Sequence, residues 1–274
     1  MSTTNTSTIN TSFSGGIPDT YDRYLGPIFF DCYADDLVER LRPLAPKSIL
    51  ELACGTGRVT RQLHAAFGGT ASITATDLSP DMLRTAQRLT AADGIQWEAV
   101  DAVSLPYADN SFDAVVCQFG IMFVPDKPKA YREAMRVLKP GGTMIVNTWD
   151  AIEYNPIIDI ADKRLTKFFG PDGPKFYSIP FGYYDESVIR DHLMQAGIGD
   201  AKIETVSLEG NSPSAADAAK GLTQGTPVVM ELQSHGADAL EVISKQLAED
   251  IVAAFGPGAF TDPLRAKVIT ARKP

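Results

Sequence analysis

Between Ser48 and Thr148 the chain repeats one unit, a short apolar run followed by a stretch with helical spacing, and this alternation constrains the fold more than any other feature. The runs are "SILEL" (Ser48 to Leu52), "SITAT" (Ser72 to Thr76), "IQWEA" (Ile95 to Ala99), "FDAVVC" (Phe112 to Cys117) and "TMIVNT" (Thr143 to Thr148). Each has the length and β-branched content of a strand. One intervening helix starts with Ser79 as N-cap and Pro80 at the first helical position, then places Met82, Leu83, Ala86 and Leu89 on one face. Another, Lys129 to Leu138, stops at "KPGG", where a proline and two glycines cannot continue it. Strands and helices alternating at this spacing imply right-handed crossovers and a parallel sheet covered on both faces, an α/β architecture.

The flanks read differently. The N-terminal "MSTTNTSTINTSFSGG" is rich in Ser, Thr and Asn and has neither a basic start nor an apolar run, so residues 1–20 are expected to be a disordered leader. From Pro27, Phe29, Tyr33, Leu37 and Leu41 recur every four residues until Pro43, an amphipathic helix expected to pack against a sheet edge. After Thr148 the rhythm breaks into a long irregular stretch, Trp149 to Tyr184. A helix capped by Asp185, a strand near Ala201 to Leu208 and a last strand at Lys267 to Ala271 follow. Between those two strands, Glu209 to Pro263 is too long for a structureless loop, and the spacing in Val242 to Phe255 is helical. The expected organisation is one domain over residues 21–274, with cap insertions at about 149–184 and 209–263.

Charge and cysteine content narrow the function. With 34 acidic and 25 basic side chains the net charge is −9, which disfavours nucleic acid as a partner. Cys32, Cys54 and Cys117 are odd in number and widely spaced, as expected of reduced thiols in the cytoplasm. His64, His192 and His235 are equally scattered, so no metal site is expected. No run approaches the roughly 20 apolar residues of a membrane span.

The stretch "ILELACGTGRVTRQL" (Ile49 to Leu63) carries the chemistry. A buried strand, a tight Gly55-Thr56-Gly57 turn and a helix start together make an anion site, because free backbone N–H groups and the helix dipole point outward from the turn. The dinucleotide fingerprint asks for a third glycine, and Thr60 stands there instead. Asp77 ends the second strand twenty residues after Gly57, where a carboxylate accepts both hydroxyls of a ribose.

Taken in order and spacing over Tyr21 to Thr148, "ELACGTG", "TDLSPDML", "EAVDA" and "LKPGG" resemble the motifs of class I S-adenosylmethionine-dependent methyltransferases, in particular the small-molecule, ubiquinone/menaquinone-type branch. The resemblance implies a Rossmann-like, seven-stranded, mostly parallel sheet whose last strand runs antiparallel, with helices on both faces and a helical or irregular cap. It implies S-adenosylmethionine as cofactor and S-adenosylhomocysteine as product. By the same resemblance, Glu51, Ala53, Gly55 and Gly57 would form the floor of the methionine site, and Asp77 would hold the ribose with Leu78 and Met82 beside it. Asp101 would accept from the adenine amino group, with the Ala102 N–H facing the ring. Gln118 and Phe119 would close the site by the methionine moiety, and Tyr21 and Tyr24 would fold over the cofactor.

Seven aromatic residues fall between Phe168 and Tyr184, a composition suited to an apolar lid over a flat or lipophilic small-molecule acceptor. His235 is the one histidine in a segment expected near that acceptor, and so the candidate base. Two other classes remain open at this stage. A nicotinamide-dependent dehydrogenase would share the strand, turn and acid, and a non-catalytic S-adenosylmethionine-binding module would bind without turnover.

Overall fold

The computed structural model describes Phe13 and residues 15–274. Its strands are β1 (Ser48–Glu51), β2 (Ser72–Asp77), β3 (Ile95–Ala99), β4 (Phe112–Gln118), β5 (Leu138–Trp149), β6 (Lys202–Ser212) and β7 (Phe260–Arg272). They form one sheet in the order β3-β2-β1-β4-β5-β7-β6. The first five are mutually parallel, and β7 runs antiparallel to both of its neighbours. The expected Rossmann-like, seven-stranded, mostly parallel sheet is the sheet observed.

Alternate residues of the central strands face opposite layers, which is why these strands read as continuous apolar runs. Ile49, Ala114, Val116 and Ile145 turn one way, toward α2 (Asp31–Leu41) and α3 (Arg58–Phe67). Leu50, Val115, Met144 and Val146 turn the other way, toward α5 (Lys127–Val137), α6 (Pro156–Phe169) and α7 (Glu186–Gln195). Each side chain buried as fully as Leu50 or Ile49 contributes about 1.5–3 kcal/mol. Helix α4 (Pro80–Thr90) begins as expected: the Ser79 hydroxyl accepts from the Met82 N–H at 3.3 Å. Asp185 likewise caps α7, accepting from the Ser187 N–H at 2.8 Å.

Several expectations need correction. Residues 1–12 and 14, most of the expected leader, lie outside the described residues, but its last residues are ordered into helix. Helix α1 (Ile17–Thr20) runs directly into a π-helix, Tyr21–Phe30, and that into α2, with Ile17 buried. Pro27 therefore lies inside the helix and does not start it. The wide i→i+5 turn accommodates the missing N–H, and the helix is fully carried by its neighbours. The helix does pack at a sheet edge, as expected, because the strand it meets, β6, is the outermost one. Tyr33, fully buried, points its hydroxyl at the carbonyls of Val206 (2.9 Å) and Leu264 (3.2 Å), on the paired strands β6 and β7.

The stretch after Trp149 is not irregular throughout. Helix α6 starts with Pro156 at its first position and buries Ile157, Ile158, Ala161 and Leu165. Strand β5 begins at Leu138, inside the expected helix end, and the Lys139–Gly142 excursion is absorbed by a register shift against β4 between Phe112 and Ala114. The second insertion is helical: α8 (Ala215–Gln224), α9 (Val228–Ser234) and α10 (Ala239–Phe255). Together with α6 and the segment from Phe176 to Tyr183, these helices add their apolar faces to the core on the α5 side of the sheet.

Candidate functional site

The strand order reverses between β1 and β4, so the loops leaving their carboxyl ends diverge and open a crevice, the general place for a ligand in such a sheet. The glycine turn sits there. Gly57 adopts a left-handed φ of 80°, and a side chain at this position would meet Ala86 and Thr90 of α4 at 3.1 Å. The close packing that the fingerprint assigns to a third glycine thus occurs here. Thr60, at the third-glycine position, is fully buried and donates to Glu51 at 2.6 Å. Burial pushes the Glu51 pKa up to about 8 against the pull of that hydroxyl.

Asp77 closes β2 with both carboxylate oxygens engaged by backbone N–H groups, Gly55 at 2.8 Å and Ser79 at 2.8 Å. Burial raises its pKa, and these N–H groups draw it back. The carboxylate is therefore fixed in place beside the turn, with lone pairs to spare, since two oxygens accept about four hydrogen bonds. In front of Gly55, at φ 55°, a side chain would meet nothing within 4 Å. This open cradle, flanked by a fixed carboxylate, fits the ribose and amino-acid portions of S-adenosylmethionine.

The remaining sequence-predicted residues divide. Ala53, at φ 53°, lies between Glu51 and the turn, and Gly120 packs directly against its methyl group. Leu78 is 71 % exposed at the crevice while Met82 is buried in the first turn of α4. Asp101 lies in an exposed turn and accepts from the Val103 N–H at 3.0 Å, with half-buried Ala102 between them. The Val100 N–H donates to the Asp77 carbonyl at 3.1 Å, which ties this turn to the end of β2. Gln118 donates to the Phe30 carbonyl at 3.0 Å, leaving its buried Oε1 without a partner among the described residues. Phe119 is held at φ 53° and stacks on Trp149, centroids 3.6 Å apart and nearly coplanar at 4°.

Tyr21 reaches the crevice. Its ring stacks on Phe30 at 5.0 Å, and its pKa is raised by burial and then by the nearby Asp77 and Asp22 carboxylates. Tyr24 does not: its ring lies between Arg23 and Lys220, about 5 Å from each cation (5.1 and 5.0 Å), against α8. His235 is exposed at the end of α9, its Nδ1 2.9 Å from the Glu231 carbonyl and its ring edge-on to Phe168 and Phe169. It does not line the crevice, so the structure gives the expected base no access to an acceptor there.

Beside the turn lies an aromatic cavity of about 490 Å³, counted to its open mouth. Tyr21, Phe30, Phe119 and Trp149 form the wall toward the sheet, and Phe176, Tyr177 and Phe181 form the wall toward the cap. Three of the seven lid aromatics therefore face this cavity. Of the others, Tyr183 stacks on His192 at 5.5 Å and Tyr184 is 42 % exposed. Trp149, Phe29, Leu222 and Phe13 line the cavity without having been singled out in the sequence. Trp149 ends β5 next to the switch point, and that placement was the available signal. Phe13, from the expected leader, packs edge-on to Tyr21 at 5.6 Å. Cys54 and Cys117 are buried, as small apolar residues would be, and burial pushes the Cys117 thiol up to about 12.

A doubly covered sheet of this order, with a glycine turn and an acid at the ends of its first two strands, defines the Rossmann-like nucleoside-binding class. Comparison with known proteins makes this specific. A model described as a methyltransferase domain matches residues 50–146. A demethylmenaquinone methyltransferase of Staphylococcus epidermidis is 35 % identical over 199 residues, covering 67 % of this chain and 82 % of the relative. An uncharacterised protein of Mycobacterium tuberculosis is 40 % identical over 103 residues, a match that spans only 36 % of its length and 37 % of this chain. Among solved structures, a Haemonchus contortus phosphoethanolamine N-methyltransferase in complex with S-adenosyl-L-methionine shares the fold with a TM-score of 0.58. It is 19 % identical and covers 94 % of this chain and 56 % of that one. A methyltransferase-like structure from Bacillus halodurans gives a TM-score of 0.55 at 20 % identity, covering 86 % and 98 %. The chain belongs to the class I S-adenosylmethionine-dependent methyltransferase family.

Proposed function

We propose that this protein transfers the methyl group of S-adenosylmethionine to a small, flat, apolar acceptor seated in the aromatic cavity. One observation carries the reading: Tyr21 lines the aromatic cavity and lies close enough to Asp77, itself bonded to the Gly55 N–H, for that carboxylate's charge to raise its pKa. When bound, the cofactor supplies an activated methyl group on a sulfonium, so the protein's task is alignment and the exclusion of water.

Asp77 would orient the ribose through the lone pairs that Gly55 and Ser79 leave free. Asp101 and the Ala102 N–H would meet the adenine, with Leu78 and Met82 beside it. Glu51, Ala53, Gly55, Gly57, Gln118 and Phe119 would surround the methionine portion. Gln118 Oε1, buried and unpartnered among the described residues, is an acceptor available to an ammonium.

The acceptor's chemistry follows from the lining. Besides Tyr21, the cavity's hydroxyls are those of Tyr177 and Thr226, and both donate to the Leu222 carbonyl, at 3.3 and 2.9 Å. Burial and the neighbouring carboxylates keep Tyr21 protonated. The wall thus offers a donor, and the acceptor brings its own nucleophilicity. The staphylococcal relative's name supports an acceptor of this flat, lipophilic kind. On this reading residues 21–274 act as one methyltransferase domain, with the insertions at about 149–184 and 209–263 as its acceptor cap. The net charge of −9 speaks against nucleic acid as the acceptor. Three free cysteines support a cytoplasmic location, and no described helix is long and apolar enough to cross a membrane.

Isothermal titration of S-adenosylmethionine, with NADH as control, into the wild type and Asp77→Ala tests the reading. Binding to the wild type that weakens about tenfold or more in the variant is expected for loss of one charged hydrogen-bonding group. Binding of NADH instead would replace it with the dehydrogenase reading.

A further inference from the structure

The covering helix and the glycine turn are joined by a partly buried charge cluster centred on Asp22 that no part of the proposed chemistry uses. Asp22, in the first turn of the π-helix, is 9 % exposed. Its Oδ1 accepts from the Thr56 hydroxyl at 2.7 Å, from Arg61 Nη2 at 2.8 Å and from Arg58 Nε at 3.2 Å. The Arg58 guanidinium also donates to the Asp22 carbonyl, and its Nη1 meets both oxygens of Asp31, at 2.6 and 2.7 Å. Arg61 in turn donates to the Thr56 carbonyl at 2.9 Å. The arginine passes beneath the helix where Gly26 leaves room: a Cβ at Gly26 would stand 2.0 Å from Arg58 Cζ.

Thr56 is the central residue of the glycine turn, and Tyr21, the cavity wall, is the residue before Asp22. A single carboxylate is therefore bonded to the cradle on one side and covalently adjacent to the wall on the other. Inside the protein such a network is strong when every member is satisfied and costly when one is removed. We propose that Asp22 is a positioning residue that sets the Gly55–Gly57 turn and the Tyr21 wall as one unit, so that cofactor affinity depends on a carboxylate placed behind both. This rests on the methyltransferase reading above.

Titration with S-adenosylhomocysteine, hydrogen exchange over residues 17–30 and thermal unfolding, each on the full chain, test the proposal. Asp22→Asn should raise the dissociation constant roughly tenfold and speed exchange over residues 17–30, while protection in β4 and β5 stays unchanged. Gly26→Ala, which displaces Arg58 without touching Asp22, should do the same and decides the matter if Asp22→Asn does not fold. Asp113→Asn is the control. Asp113 gathers Lys47, Ser48 and Lys139 at the opposite end of the same sheet, so its loss should lower thermal stability and leave affinity alone. Wild-type affinity in both Asp22→Asn and Gly26→Ala, or an equal loss in Asp113→Asn, would overturn the proposal while leaving the methyltransferase reading intact. Failure of the wild type to bind S-adenosylhomocysteine would overturn both.

Discussion

Replacing Gly120 by alanine should destabilise the protein, and replacing Ala53 by glycine in the same chain should restore most of the loss. The two residues follow β4 and β1 and meet at the floor of the crevice. A methyl group on Gly120 would stand 2.3 Å from the Ala53 Cβ and 3.0 Å from Cys117 Sγ. Carbon atoms pack best at about 3.5–4.0 Å, so the two methyls would overlap by more than 1 Å. Both are fixed to backbone and have no rotamer to escape into, so the backbone must shift, at about 1–3 kcal/mol for overpacking. Ala53→Gly alone acts in two directions. It relieves a left-handed φ of 53°, worth about 1–2 kcal/mol for a non-glycine residue, and it loosens the unfolded chain by about 0.4–1 kcal/mol. The single glycine variant should therefore lie within about 1 kcal/mol of the wild type. The double variant keeps only the milder contact with Cys117, giving a coupling of about 1–3 kcal/mol. Urea unfolding midpoints at constant slope measure it, and each kcal/mol moves the melting temperature by about 2–4 °C for a chain of this size. A double variant as unstable as Gly120→Ala alone would refute the reasoning, because the conflict would then lie elsewhere than the Ala53 methyl.

The other predictions concern titration and the cavity. Asp262 is fully buried with no well-formed side-chain hydrogen bond among the described residues, and burial pushes its pKa up to about 7 from an ordinary 3.8 against the pull of the Ile157 N–H. A raised acid holds an extra proton only in the folded state, so it contributes stability at low pH that is lost as pH rises through about 7. Asp262→Asn should abolish that loss: its stability relative to the wild type, followed by thermal melts, should grow from pH 4 to pH 7 by about 1–4 kcal/mol. A pH-independent difference would show that the carboxyl is not buried as described. Phe176→Ala and Phe181→Ala should raise the KM for the methyl acceptor severalfold without changing S-adenosylhomocysteine affinity. Equal loss of both would mean that these rings hold the cap together instead of meeting the acceptor.

What could be read from sequence was whatever local chemistry decides. Ser79-Pro80 and Asp185 cap helices wherever they occur, and the runs of β1, β2, β4 and β5 are buried on two faces, so their apolar content is continuous and their strands are legible, while β3 at the edge shows only its β-branched and aromatic content. Helix α6 was equally local, with Pro156 at its start and Ile157, Ile158, Ala161 and Leu165 at helical spacing, but the aromatic, Gly- and Pro-rich segment that follows obscured it. The π-helix was beyond reach because its stability comes from partners distant in sequence, Thr56, Arg58 and Arg61 above all. At the site, Asp77 and the glycine turn were readable since one strand–turn–helix unit fixes both. Trp149, Phe29 and Leu222 meet only after β5, the π-helix and α8 have packed, and Tyr24 was misplaced because the helix turns its ring toward Lys220.

Trp149 has a use apart from packing. The chain has two tryptophans, and Trp97, on β3, lies across the sheet from the cavity. Trp149 is 3 % exposed and held between Phe119 and Phe181, at 3.6 and 5.6 Å. An indole so enclosed emits to the blue of one in water, and its emission changes when another ring enters beside it and displaces water. The protein therefore carries an optical probe of its own cavity, and Trp97→Phe would leave that signal isolated. Candidate acceptors could then be screened by intensity alone, with no label and before a methylated product has been identified.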